Sequence, residues 1–404
     1  MRDLLADVLI VGAGPAGSAS AVLLAGQGLS VVVIDRAAFP RDKPCSEYLS
    51  PEAVRVLDRL GVVPDLERAG ARSLAGTIVQ GPLGARLHGI FAEARPRPGR
   101  ATGLSVPRTV LDARLVQAAR DAGALVLERT TLEELLYDGG SVAGAVAEDT
   151  EGRRLIRARL VIGADGLRSA VAQRLGVRRG GRLRRYALVA HVEAVTGLGD
   201  SAEMHVGSQG YVGLNRIGDD LANVALVVPA ARIQGARARA REFFFECLEQ
   251  FPGVRGRVDP RRLRRPVLAT GPFDMRARRT IADGALLVGD AADFFDPFTG
   301  EGICAALRGA ELVAEHGATA LEAPGPVRAQ RLEPYAAARR RAFLGKWAVE
   351  RLIGYAMEWP ALFDRAVDRL GRRPDMAHTL IGVTGDFVPA GRVLNPGFLT
   401  RMVL

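Results

Sequence analysis

The chain has 404 residues, 48% of them hydrophobic, and carries a formal net charge of +10. That composition supports one large or two smaller packed domains and excludes a disordered chain. Lys43 and Lys346 are the only lysines and the arginines are spread along the whole length, which fits a coding preference better than a nucleic-acid footprint, so no nucleic-acid partner is expected.

Cys45, Cys247 and Cys304 share no metal-ligand spacing and make an odd count. No metal and no disulfide framework are expected, and a reducing, cytoplasmic setting is. Met1–Val11 lacks a signal-peptide pattern, and no run approaches the roughly 20 apolar residues that span a bilayer. Peripheral contact with a membrane surface stays open, as does the oligomeric state.

In chain order, Asp7–Gly12 is an apolar run ended by glycines, Pro15–Gly26 is rich in Ala and Leu, and Ser30–Asp35 is a second β-branched run. Strand, tight turn, helix and strand make a βαβ unit, and strands without polar alternation belong to a parallel sheet covered on both faces. Ser50–Leu60 and Arg108–Ala122 read as helices, the first with Ser at its N-cap and Pro next. Leu125–Arg129, Ser141–Glu148 and Leu155–Ile162 read as strands, with a turn-rich DGG between the first two.

Between Tyr186 and Val228 short strand-like runs alternate with Gly and Asp, which predicts an antiparallel sheet. A helix is expected over 236–250 and a buried strand over Ile281–Val288. Beyond Gly302 the chain reads as helical, Arg-rich from Pro334 to Leu370, and then as a loop-like tail. The fold class is α/β: a Rossmann-like cofactor domain in three parts (1–75, 106–180, 276–325), an inserted substrate domain with an antiparallel sheet (76–105, 181–275) and a helical C-terminal region (326–404).

Gly12, Gly14 and Gly17 form GxGxxG between a strand and a helix that opens on Pro15 and Ala16, and Asp35 ends the next strand. The first glycine permits the turn, the second lets a pyrophosphate approach, and the third allows close helix–sheet packing. Asp35 stands where a carboxylate would bind the adenosine ribose. No second GxGxxG follows a strand, so one dinucleotide is held in this way. The segment VGDAADFFDPFTGEGI puts Gly289 and Asp290 at another strand end and Gly302 and Ile303 at another helix start. Asp290 is placed for a ribityl hydroxyl, and the N–H groups of Gly302 and Ile303 for negative charge on a reduced ring.

Together VGAGPAG, VIGADGLRS and VGDAADFFDPFTGEGI resemble the flavin-dependent oxidoreductases of the aromatic-hydroxylase fold, including geranylgeranyl reductases, class A monooxygenases and flavin halogenases. The resemblance implies FAD held by Gly12, Gly14, Pro15, Ala16, Gly17 and Asp35, with Arg36 beside them. It adds Arg108, Asp165 and Gly166, and on the ring side Gly289, Asp290, Pro297, Gly300, Gly302 and Ile303, with NAD(P)H as a transient electron donor. FPRDKPCSEYLSP resembles the Lys-Pro-Cys-Gly segment of the geranylgeranyl-reductase branch, with Ser46, counted among the cofactor contacts, in place of glycine. Cys45 is the weak catalytic candidate, a thiol that could donate a proton, set against an ordinary packed cysteine.

Trp347 and Trp359 do not form the tryptophan signature of the halogenases, so halogenation is not expected. GYVGLNRIGDD lacks the aromatic Trp-x-Phe-Pro element of the reductases, which counts against prenyl-lipid reduction. The leading expectation is an NAD(P)H-dependent monooxygenase that hydroxylates or epoxidises a largely apolar small molecule, with a reductase of carbon–carbon double bonds as the alternative. The chemistry rests on the flavin, and the protein supplies a dry pocket, for which Tyr48, Tyr211, Phe295 and Phe298 are the candidate lining. His191 and His205 are read as structural.

Overall fold

The β-branched runs at the N-terminus can lose all contact with water only inside a sheet covered on both sides. In the protein, a computed structural model that describes residues 3–233, 235 and 239–403, they do so. Five parallel strands lie in the order Ala285–Leu287, Gly152–Gly163, Asp3–Val11, Val31–Ile34 and Leu125–Leu127. An antiparallel hairpin of Thr131–Asp138 and Ser141–Asp149 joins the same sheet through Gly152–Gly163.

The helix Pro15–Ala25 buries an almost unbroken run of small side chains from Pro15 to Ala21 against helices Arg108–Asp121 and Gly302–Glu322. Small residues let these backbones approach closely. A Cβ added at Gly17 would stand 1.8 Å from the Gly12 carbonyl oxygen, and one at Gly12, whose φ is +103°, would stand 2.6 Å from that of Ala164.

A second sheet of seven strands runs Leu268–Thr270, Arg185–Glu193, Leu221–Pro229, Gly210–Arg216, Ser201–Gly207, Gly76–Gln80 and Arg86–Ile90. It is antiparallel except where Ser201–His205 pairs in parallel with Gly76–Gln80. Its period-2 alternation is expressed in full. Leu188, Ala190, Val224, Leu226 and Val228 face Phe244, Cys247 and Leu248 of a covering helix, while Ala187, Val189, Tyr211 and Val227 face the opposite way, toward the C-terminal helices.

Several expected elements differ. Ile281–Val288 is two short paired strands, Ile281–Ala282 and Ala285–Leu287, because Gly284 turns the chain with φ +74°. The DGG turn joins Ser141–Asp149 to Thr131–Asp138 rather than to Leu125–Leu127. The helix expected over 236–250 runs Ala240–Leu248, and residues 236–238 lie outside those described. The tail holds helices Pro374–Thr384 and Pro396–Val403, since prolines at their first turns start them and Met376, Ala377, Ile381 and Phe398 bury an apolar face. Among the described residues no helix is long and apolar enough to cross a membrane.

The close approach at Gly17 predicts that Gly17→Ala lowers the unfolding free energy by about 2 kcal/mol or more. Gly99→Ala, which would meet nothing within 4 Å, should stay within about 0.5 kcal/mol of the wild type. Urea denaturation of the two variants checks the contrast.

Candidate active site

A large cavity runs between the two sheets, from the Gly-rich turn to the C-terminal helices. At its polar end Asp35 does not reach into the space but ties the turn to the second strand: its two carboxylate oxygens accept from the Ala13 and Ala37 N–H groups, each at 2.8 Å. Gly14, by contrast, is open on the cavity side, where a Cβ would have only an Arg41 terminal nitrogen near it, at 3.5 Å.

Three cations converge opposite this opening. Arg108 forms a two-pronged pair with Asp112 at 2.8 Å and 2.8 Å, Arg41 shares the same carboxylate at 2.9 Å, and Lys43 also lines the cavity. Burial, then the neighbouring Arg108, pulls the Lys43 ammonium below its ordinary range. Burial works against the Arg108 charge too, but Asp112 and the Cys45 sulfur outweigh it and hold the guanidinium firmly charged. Two guanidiniums and an ammonium, with Asp112 shared between the guanidiniums and Asp290 farther in, leave a cationic surplus beside the N–H groups at the start of a helix. That arrangement fits a diphosphate.

Farther in, Asp290 and the start of the Gly302–Glu322 helix face the same space. Burial pushes the Asp290 carboxyl up, against the pull of Lys43 and Arg108, which suits an acceptor held for a hydroxyl donor. The loop between them is fixed from outside. Asp296 receives Arg185 at 2.9 Å, the Tyr211 hydroxyl at 2.6 Å and the Phe298 N–H at 3.0 Å. Gly300 adopts the left-handed conformation, φ +73°, where a Cβ would press on the Tyr48 ring at 2.9 Å. A carboxylate for the ribityl chain and helix N–H groups for a ring thus lie in line with the diphosphate cradle, and the residues present fit FAD.

The cavity gathers most of the residues singled out in the sequence. Pro15, Ala16, Ser46, Gly166, Pro297 and Ile303 line it together with Gly14, Arg108, Asp290, Gly300 and Gly302. Cys45, Tyr48, Tyr211 and Phe298 line it toward the sheet. Gly12, Gly17 and Gly289 shape the turns behind it, and Arg36 is exposed outside it. Asp165 turns away: one oxygen accepts from the Ala170 and Val171 N–H groups at 2.6 and 3.2 Å, capping the helix Ala170–Arg174, while Oδ1 is buried without a partner.

Phe295 does not belong to the pocket. Adjacent residues of the extended segment before Pro297 point to opposite sides, so its ring packs on Tyr355 at 6.2 Å and under Arg351 at 5.2 Å.

Two clusters had no signal in the sequence. Glu47, buried in a left-handed conformation at φ +57°, accepts from the Arg108 N–H and the Asn223 amide, each at 2.9 Å, and lies 2.7 Å from His191 Nε2. Asn223 also donates to the Cys45 carbonyl at 2.6 Å, so the cysteine segment is fastened to the sheet and His191 serves that fastening. His205 pairs with Glu203 at 2.7 Å. Burial pushes Glu203 up, but hydrogen bonds from His205 and Arg257 prevail and bring it to about 2.

The second cluster lies behind the Asp296–Gly300 loop, in a small cavity that holds Glu301, Lys346 and Glu350. Burial raises Glu301 and Glu350 to about 7 each, opposed by Lys346. Ser50 donates to Glu301 at 3.0 Å. An unfolded glutamate releases its proton near 4.5. Between that value and 7 the folded protein therefore binds more protons, and its stability falls as pH rises through the window. Glu301→Gln removes one of the two groups responsible and should gain on the wild type by about 2 kcal/mol between roughly pH 5 and pH 8. Denaturation curves at each pH test this, and parallel pH profiles would contradict it.

A family model described as an FAD binding domain matches residues 5–344. The chain is 31% identical over 376 residues to digeranylgeranylglycerophospholipid reductase 2 of Methanothermobacter thermautotrophicus, covering 91% of each chain. It is 31% identical over 332 residues to a menaquinone reductase of Mycolicibacterium smegmatis, covering 77% of this chain and 76% of that one. Among solved structures, a flavin-dependent brominase superposes with a TM-score of 0.81 at 21% identity, over 95% of this chain and 94% of that one. A geranylgeranyl bacteriochlorophyll reductase-like protein of Thermoplasma acidophilum superposes with 0.78 at 23% identity, over 99% of both. With the cradle, the ribityl-side carboxylate and the ring-side helix in one cavity, the chain belongs to the FAD-binding-domain family and is an FAD-dependent oxidoreductase.

Proposed function

We propose that the protein reduces a carbon–carbon double bond in an apolar, isoprenoid-like molecule, with a nicotinamide dinucleotide as the electron donor. The observation that carries this reading is the chamber beyond the ring position, bounded by Val79, Ala187, Val189 and Val227 of the sheet and by Ile353 and Ile381 of the C-terminal helices, with the Cys45 thiol at its seam. The relatives named as reductases support the same branch over the oxygen-using one, despite the absence of the Trp-x-Phe-Pro element.

When bound, FAD supplies the hydride. The chain does the rest. Gly14, Arg41, Lys43 and Arg108 would hold the diphosphate, and Asp290 would receive a ribityl hydroxyl. The N–H groups of Gly302 and Ile303, at the start of a helix that lines the cavity, would favour negative charge on a bound ring. The apolar walls orient a hydrocarbon and keep water out. Hydride addition to one alkene carbon leaves its neighbour to take a proton. Cys45 Sγ–H holds that proton on the substrate side, and charged Arg108 beside it compensates the thiolate that remains.

Anaerobic turnover of a polyprenyl quinone or polyprenyl lipid with reduced nicotinamide tests the reading; substrate-stimulated oxygen consumption would return the assignment to a monooxygenase. Cys45→Ser should lower the rate of alkene reduction at least about 10-fold with the flavin spectrum unchanged. Gly14→Val should abolish flavin binding by filling the open side of the turn. Asp290→Ala should lower flavin occupancy, whereas Asp293→Ala, which strands buried Arg339 now paired at 2.5 Å, should mainly cost stability, about 3 kcal/mol. Equal flavin loss in the two aspartate variants would contradict the placement of Asp290.

A further inference from the structure

The described residues include nine exposed large apolar side chains, and five of them fall within one stretch of the C-terminal helices: Leu344, Leu352, Tyr355, Trp359 and Leu362. Scattered exposure of this kind is ordinary, but a cluster calls for a partner. Leu344, Leu352 and Tyr355 lie at spacings that put them within about 80° of one another around the helix Ala329–Ala356. Trp359, 67% exposed, and Leu362 continue the stripe where the helix Pro360–Gly371 begins. Leu83, 72% exposed, stands on the other flank of that helix, where its N–H donates to Asp364 at 2.8 Å, and is not part of the stripe.

The polar side chains around the stripe are mostly basic. Arg340, Arg341 and Arg365 are exposed, and Arg351 lies over the Phe295 ring at 5.2 Å. Of the acidic neighbours, Asp364 is engaged by the Leu83 and Ala85 N–H groups, and Glu358 lies 3.8 Å from Arg185. An apolar stripe with two aromatic rings and a cationic margin has the composition of a helix that lies in the headgroup region of a bilayer. Its charge complements an anionic leaflet. The same layer of helices is the outer wall of the substrate chamber: Ile353 lines the chamber from the opposite side of the stripe's helix, and Phe363 meets Phe298 edge-on at 6.3 Å.

We propose that the outer face of helices Ala329–Ala356 and Pro360–Gly371 docks the protein on an anionic lipid bilayer. Docking there seats the wall of the apolar chamber against the lipid, one helix away from the source of a hydrocarbon substrate. The surface is independent of which reaction the flavin performs.

Co-sedimentation of the flavin-loaded protein with vesicles tests it, comparing phosphatidylcholine alone with phosphatidylcholine containing about 30% phosphatidylglycerol. The wild type should bind the anionic vesicles, and more weakly as salt rises. The double variant Leu352→Glu/Trp359→Glu should bind at least about 10-fold more weakly while keeping its flavin and melting temperature, and Arg341→Gln/Arg365→Gln should lose binding and salt dependence together. Absence of wild-type binding, or equal binding by the glutamate variant, would overturn the proposal. So would a dimer, seen by light scattering, that fails to bind vesicles and that the glutamate variant dissociates, since the face then belongs to a second copy of the chain.

Discussion

The Asp296 carboxylate is the point at which the two halves of this molecule become one site. It receives a guanidinium and a phenol from the antiparallel sheet, Arg185 and Tyr211, and a backbone N–H from its own loop. A buried carboxylate is tolerable only with its lone pairs satisfied and its charge matched, so the loop has one position relative to the sheet. That position sets Pro297, Phe298 and Gly300 against the chamber. The sheet could not slide without leaving a buried charge alone.

The same economy of buried charge governs the other wall. Glu47 in a left-handed turn holds the start of the Arg108 helix, the Asn223 amide and His191, and so fixes where the Cys45 segment lies. On the diphosphate side the balance is deliberately unequal, with Asp112 shared by Arg41 and Arg108. A surplus of positive charge held by rigid partners is an anion site whose geometry is already formed.

Charged groups are thereby concentrated at one end of the cavity and at its back, and the remaining walls are mostly hydrocarbon, interrupted by Thr77, Glu203, Asn215, Thr270 and Thr384. Binding an apolar molecule in such a chamber needs no reorganisation of charge. The docking face proposed for the exposed stripe would give an apolar molecule a route from lipid to the chamber's outer wall.

The βαβ unit, the glycine turns and the ring-side loop were legible in the sequence because their constraints are local. A turn at φ +103° requires glycine at residue 12, and a buried parallel strand requires an unbroken apolar run. Which face of Arg185–Glu193 meets the chamber was decided only by packing, which turns Ala187 and Val189 toward it. The roles of Glu47 and Lys43 were not legible, since their partners lie far away in the chain. Phe295 was misread for a related reason: a run of aromatics does not disclose which ring faces which side of a loop until both neighbours are packed. The two tail helices looked like loop because Gly, Pro and Thr recur between and within short apolar runs, yet burial of Met376, Ile381 and Phe398 outweighs that bias. Sequence by itself determined that the chain would cradle a dinucleotide. Only the tertiary structure decided what faces the ring, because burial and charge pairing are satisfied between segments that are distant in the chain and adjacent in space.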